Sequence, residues 1–251
     1  MKTALITGAT SGIGKATAML LSRNNYRLIL TGRRKERLEE LEKELSTSCR
    51  MFTGNFDIRN RKEVNMFWDN LPDSWKRIDI LVNNAGLAAG LDPVNNADVE
   101  DWEDMIDTNV KGLLYMTQLV SRKMIERSTG HIVNISSIAG QESYPNGSVY
   151  CATKYAVNAI SKALRIELLP HNIKVSTISP GAVDTEFSLV RFKQDKQRAD
   201  QVYEGFVPLN ADDVAEAIYF IITRPSHVNI DEMLIMPTAQ GSARDFYRNK
   251  K

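Results

Sequence analysis

Several things that would point to a function are scarce or missing in this chain. Its 251 residues include two cysteines, too few for a disulfide scaffold and in keeping with a reducing compartment. Lys and Arg total 32 against 31 Asp and Glu, a formal net charge of +1. Neither a broadly basic nucleic-acid binder nor an acidic tail is written in that balance. His131, His171 and His227 show no metal-ligand spacing with Cys or carboxylates, so no structural or catalytic metal is expected. No apolar run approaches the ~20 residues of a membrane span, and the apolar start stops at Gly8, too short for a signal-peptide core. The sequence reads as cytoplasmic, acting on a small molecule, with no nucleic-acid or membrane partner.

What is present is an ordinary globular composition, 43% hydrophobic and 25% charged, with a regular alternation of patterns. Short apolar runs at Thr3–Thr7, Arg27–Thr31, Arg50–Thr53, Ile78–Val82, His131–Ile135, Lys174–Ile178 and Ile230–Met236 read as strands. Helical periodicity fills Lys15–Asn24, Arg34–Leu45, Arg61–Leu71, Trp102–Arg127, Tyr150–Leu169 and Asp212–Ile222, the last with Asp212 and Asp213 as cap and first turn. The mixed charges of Arg191–Arg198 read as a solvated helix. Such alternation predicts a doubly wound α/β fold of Rossmann type, a mostly parallel sheet with helices on both faces. No linker or repeat interrupts it, so residues 1–251 are expected to form one domain.

The first strand runs into Thr7-Gly8-Ala9-Thr10-Ser11-Gly12-Ile13-Gly14 and then directly into a helix. Three glycines there allow a tight turn, close backbone approach and close helix-on-sheet packing. The helix N-terminus offers free N–H groups to a pyrophosphate. A Gly-Lys-Ser/Thr ending is absent, which argues against an ATP- or GTP-binding loop. The second strand ends in Gly32-Arg33-Arg34 rather than in an acid. An acid there would bond a ribose 2′-hydroxyl, whereas guanidinium groups suit a 2′-phosphate. NADP(H) is therefore expected over NAD(H).

Tyr150 and Lys154 stand four residues apart on a predicted helix and share a face. A lysine beside a phenol lowers its pKa, and such a tyrosine can exchange a proton with a carbonyl or alcohol. Ser137, just after a strand, could stabilise charge on the substrate oxygen. Taken alone, a Tyr and a Lys four apart are more often a surface pair.

Together these residues resemble the short-chain dehydrogenase/reductase family over nearly the whole chain. The likeness rests on the glycine loop, Asn83-Asn84-Ala85-Gly86, Asn109, Ser137, Tyr150-x-x-x-Lys154 and Pro180-Gly181, in the family's order. The resemblance implies Tyr150 as acid/base, Ser137 as substrate-positioning group, and Lys154 on the nicotinamide ribose. It implies Asn109 holding a water, Asp57 and Ile58 beside the adenine, and Asn84, Ala85 and Gly86 on the ribose side. Pro180, Gly181, Val183 and Thr185 would wrap the nicotinamide. Residues 1–110 would mainly bind cofactor and 130–251 mainly substrate. It also implies a dimer interface on the two long helices, within a homotetramer.

Three further segments are similar to the NADP-dependent 3-hydroxy acid dehydrogenase branch: Thr31–Leu38, Val99–Asn109 and Thr185–Phe192. That branch acts on serine, allo-threonine and 3-hydroxypropionate-type acids. Arg191, just past the nicotinamide loop, could pair with a substrate carboxylate or could simply be a surface arginine. Gln141, Glu142 and Tyr144 could line the pocket or be ordinary loop residues, and Cys151 reads as packing. The segment Ile230–Thr238 lacks the Asp-Gly-Gly-like turn of acyl reductases. A carbonyl or 3-oxoacyl-thioester reductase and a non-catalytic NADPH sensor stay as alternatives. Ser11 stands where some NADP-specific relatives carry a basic residue, so cofactor choice rests on Arg33 and Arg34.

Overall fold

The computed structural model describes residues 1–249. Seven strands, β1 (Thr3–Thr7), β2 (Arg27–Gly32), β3 (Met51–Asn55), β4 (Ile80–Asn83), β5 (Gly130–Ile135), β6 (Ile173–Pro180) and β7 (Glu232–Ile235), form one sheet. All pairings are parallel, in the order β3-β2-β1-β4-β5-β6-β7. This is the doubly wound fold expected from the alternation. Strand side chains alternate between two faces, and both faces are dry. Ala4, Ile6, Leu28, Leu30, Val82 and Val133 pack on one side with α1 (Gly12–Ser22), α2 (Lys35–Leu45) and α9 (Ala211–Ile222). Leu5, Ile29, Leu81, Ile132 and Val175 pack on the other with α3 (Arg61–Asn70), α5 (Leu113–Ile125) and α6 (Ser148–Leu168). At about 1.5–3 kcal/mol per buried large aliphatic side chain, these two layers supply the main drive to fold.

Three expectations are corrected. The helix expected over Trp102–Arg127 is α4 (Val99–Ile106), a π-turn over Asp107–Gly112, and then α5. The π-turn buries Thr108, Asn109 and Gly112 rather than large apolar side chains, so the helical stripes on either side give no sign of it. Helix α9 is capped by Asn210, whose side chain accepts from Asp213 N while Asp213 accepts from Asn210 N. This capping box places Asp212 and Asp213 inside the first turn. The stretch Arg191–Arg198 is the end of α7 (Phe187–Arg191) and the start of α8 (Lys196–Gln201). Between them Lys193 and Gln194 take left-handed φ values of 51° and 72°, which no helix continues through.

Candidate active site

β1 and β4 are neighbours while β2 and β5 lie outward of them, so the winding reverses above their C-terminal ends. Ligands of open α/β sheets bind at such a reversal. Here β1 leads into Gly8, at φ 65°, where a Cβ would stand 2.9 Å from Ala85 Cα. Gly14 opens no such angle. It is needed for closeness, because a Cβ there would meet Gly8 O at 2.4 Å. The end of β4 clamps this turn. Asn84 Nδ2 donates to Thr7 O and Gly8 O at 2.9 and 3.1 Å, and Thr7 Oγ1 accepts from the Asn84 and Ala85 N–H groups. Helix α1 then begins at Gly12 with no acid in its first turn and no side-chain cap from Ser11. Its first N–H groups and dipole are left for an anion from outside the chain.

A cleft of about 440 Å³ runs along these strand ends. One end is rich in arginine. Arg33 stands 3.6 Å from Asp57, which also pairs with Arg59 at 2.7 Å. Partial burial pushes the Asp57 carboxyl up, but the hydrogen bonds of Arg59 and the charges of Arg59 and Arg33 bring it below its usual range. Arg34 is N-cap of α2 and donates to Thr10 Oγ1, to Ser11 Oγ at 2.5 Å and to Glu186 at 2.7 Å. Arg37 reaches the same carboxylate at 2.6 Å. Arg33, Arg34 and Arg37 are half-exposed and paired. The group fits a phosphate monoester, which would exchange one anionic partner for another.

The other end is dry. Tyr150 and Lys154 lie on the inner face of α6 and are 7% and 5% exposed. Lys154 Nζ donates to Ile135 O at 3.0 Å and sits 5.8 Å from the centre of the Tyr150 ring. Burial lowers the Lys154 pKa to about 8. Burial likewise raises the Tyr150 phenol well above its ordinary range, and the neighbouring Tyr144 adds to the rise. Ser137 and the Arg191 charge pull the phenol back down in part. Ser137 and Arg191 act on the phenol from one side, and Lys154 stands beside its ring. Ser137 follows β5, accepts from Ala139 N at 3.1 Å and donates to Pro180 O at 3.5 Å.

Asn109 sits in the π-turn, behind the cleft. Its amide accepts from Leu87 N and donates to Leu87 O, both at 2.8 Å, and donates to Thr153 at 3.0 Å. This side chain ties the strand-end loop to α6. A π-turn inside a helix is a recurrent mark of a functional position. Arg191, on α7, donates to Gly90 O and to the Tyr144 hydroxyl at 3.1 Å, and its guanidinium carbon lies 5.5 Å from the centre of the Tyr150 ring.

Of the residues singled out in the sequence, Gly8, Ser11, Gly12, Ile13, Arg33, Arg34, Asp57, Ile58, Asn84, Ala85 and Gly86 line the cleft. So do Ser137, Tyr150, Lys154, Pro180, Gly181, Val183 and Thr185. Gly14, Asn109 and Arg191 stand just behind or beside it. Two supports went unnoticed. Gln240 Oε1 accepts from Ala182 N at 2.8 Å, and the Tyr203 hydroxyl donates to Val183 O at 2.8 Å. Both hold the loop after Pro180, and both arrive through long-range packing that leaves no local signal.

A short chain dehydrogenase family model matches residues 2–196. The chain belongs to that family and is an oxidoreductase acting on CH–OH groups. Among individual proteins, it is 47% identical over 240 residues to the NADP-dependent 3-hydroxy acid dehydrogenase YdfG of Escherichia coli (strain K12), covering 95% of this chain and 96% of that one. It is 45% identical to sulfoacetaldehyde reductase 2 of Chromohalobacter salexigens, covering 94% of each. A solved structure described as the closed form of serine dehydrogenase complexed with NADP+ superposes with a TM-score of 0.92 at 45% identity, over 99% of this chain and 100% of that one.

Proposed function

We propose that this chain is an NADP(H)-dependent dehydrogenase of small 3-hydroxy acids of the serine, allo-threonine or 3-hydroxypropionate type. One observation carries the acid: Arg191 has no carboxylate partner among the described residues, yet stands 5.5 Å from the Tyr150 ring. A guanidinium held beside the reactive phenol suits a substrate whose carboxylate lies a short reach from its hydroxyl. Arg33 and Arg34 would take the 2′-phosphate, the open start of α1 the pyrophosphate, and Asp57 and Ile58 the adenine. Pro180, Gly181, Val183 and Thr185 would border the nicotinamide. When bound, NADP supplies the hydride chemistry. The chain supplies the proton and the orientation. Tyr150, kept neutral by burial, holds the proton that carbonyl reduction consumes. Alcohol oxidation draws on the same oxygen as base and gains with rising pH. Ser137 holds the substrate oxygen and Lys154 the nicotinamide ribose. Because the Asn109 amide is committed to Leu87 and Thr153, a water at this position would rest on its backbone.

The chain would work as one domain, in the cytoplasm, as a homotetramer. The exposed Ile106, Leu114, Tyr155 and Ile166 of α4, α5 and α6 offer an apolar surface for that assembly. A second reading, reduction of a small sulfonated aldehyde, draws on the relative of that name, since a guanidinium serves a sulfonate as well as a carboxylate.

The test is initial-rate absorbance of NADPH with L-serine, allo-threonine and 3-hydroxypropionate at alkaline pH, beside sulfoacetaldehyde and an acetoacetyl thioester. Turnover of the hydroxy acids is expected, with Arg191→Leu raising their KM about 10- to 50-fold while sparing a neutral alcohol. Turnover confined to the thioester ends the acid reading.

A further inference from the structure

Glu186 pairs with the arginine end of the cleft, and the residue after it reaches the tyrosine end. It is the N-cap residue of α7, the short helix that carries Phe187 and Arg191. Its carboxylate crosses the cleft to Arg34 at 2.7 Å and Arg37 at 2.6 Å. Thr185, one residue earlier, lies over the glycine loop, where a Cβ on Gly12 would stand 3.4 Å from it. Phe187, one residue later, packs on Tyr150 with ring centres 5.8 Å apart. Among the described residues, no other ion pair joins α7 to the rest of the chain. Helix α7 has five residues and is too short to hold itself in place.

We propose that Glu186 is a positioning residue that couples the two ends of the cleft. It competes with the cofactor's 2′-phosphate for Arg34 and Arg37, and it holds α7 so that Arg191 faces the substrate. This inference rests on the reading of Arg34 as a 2′-phosphate ligand and of Arg191 as a carboxylate ligand. The physical content is a trade. A carboxylate on the guanidinium groups lowers the positive potential that a phosphate meets. The same carboxylate fixes the start of a helix whose last residue binds substrate. Neutralising Glu186 therefore moves two affinities in opposite directions, which a general loosening of the loop would not do.

The experiment compares wild type with Glu186→Gln, first by NADPH and NADH fluorescence titration without substrate, then by steady-state kinetics. The variant is expected to bind NADPH about 3- to 10-fold tighter with NADH unchanged, since only the 2′-phosphate competes. Its KM for the hydroxy acid should rise about 5- to 20-fold, with kcat within twofold and the KM of a neutral alcohol unmoved. Equal shifts for NADPH and NADH, or weaker NADPH binding, overturn the competition. An unchanged acid KM overturns the coupling. Either result ends the proposal. Arg34→Ala is measured alongside. If it leaves the NADPH/NADH affinity ratio unchanged, the 2′-phosphate reading itself has failed, and that failure is distinct from the first two. Both substitutions replace half-exposed side chains, so a melting curve close to wild type is expected for each.

Discussion

The two ends of the cleft keep their ionisable groups in opposite ways. At the arginine end, Arg33, Arg34 and Arg37 are half-exposed and each is matched to a carboxylate. At the tyrosine end, Tyr150 and Lys154 are buried with no carboxylate partner, and burial is the largest influence on both. Exposed pairs are worth about 0–1 kcal/mol each and exchange partners readily. Buried groups are costly to charge, and their protonation is set by the fold. One end is thus suited to recognising a charge that comes and goes, and the other to keeping a proton in a fixed place.

The contrast breaks first at Tyr150. Tyr150→Phe keeps the ring, its packing on Phe187 and its burial, and removes only the transferable proton. NADPH affinity should stay within about twofold while kcat falls by roughly 10³-fold or more, since positioned proton transfer contributes about 10²–10⁴-fold. Turnover within tenfold of wild type, read by stopped-flow or initial rates, would show that the dry end does not supply the proton.

The arginine end should respond in the complementary way. Arg33→Ala together with Arg34→Ala should weaken NADPH about 10- to 100-fold and NADH by less than threefold, with kcat at saturating NADPH nearly preserved. Fluorescence titration reads this directly. A similar loss for both nucleotides would mean that these arginines hold the loop rather than the phosphate.

The two ends also differed in how far the sequence revealed them. The glycine loop and Arg33–Arg34 were legible because their job is local: strand end, turn and helix start are contiguous in the chain. Tyr150 and Lys154 were legible as a pair because one helix face joins them. What escaped was nonlocal. Glu186 meets Arg34 across 152 positions of chain, and Gln240 meets Ala182 across 58. Nothing in either neighbourhood marks those meetings. The π-turn at Asn109 escaped for a different reason, since both flanks are helical in pattern and no residue type marks the widened turn between them. The pKa shifts of Tyr150 and Lys154 cannot be read from spacing, which reports which residues are near and says nothing of water. Burial, which only the folded chain defines, is the largest influence on both groups.

That last point has a consequence for stability. Lys154 has a folded pKa of about 8 against an ordinary 10.5, so at pH 7 the folded chain carries a buried charge that the unfolded chain carries in water. The buried charge therefore costs stability below pH 8. Replacing Lys154 with Met removes the charge and also the hydrogen bond to Ile135 O, and a hydrogen bond from a charged donor contributes about 1.5–3 kcal/mol. The two effects oppose each other at pH 7, so Lys154→Met is expected to abolish turnover while changing the stability of the protein without cofactor by less than about 2 kcal/mol. The sign of the pH dependence is fixed by the protons bound. Between about pH 8 and 10.5 the unfolded lysine holds its proton and the folded one has released it, so the wild type gains on the variant as pH rises through that window. Urea titrations at pH 7 and pH 10 read both quantities. A stability difference that does not move in favour of wild type between pH 7 and pH 10 would show that the lysine charge is solvated in the folded chain and that the tyrosine end is wetter than its burial implies.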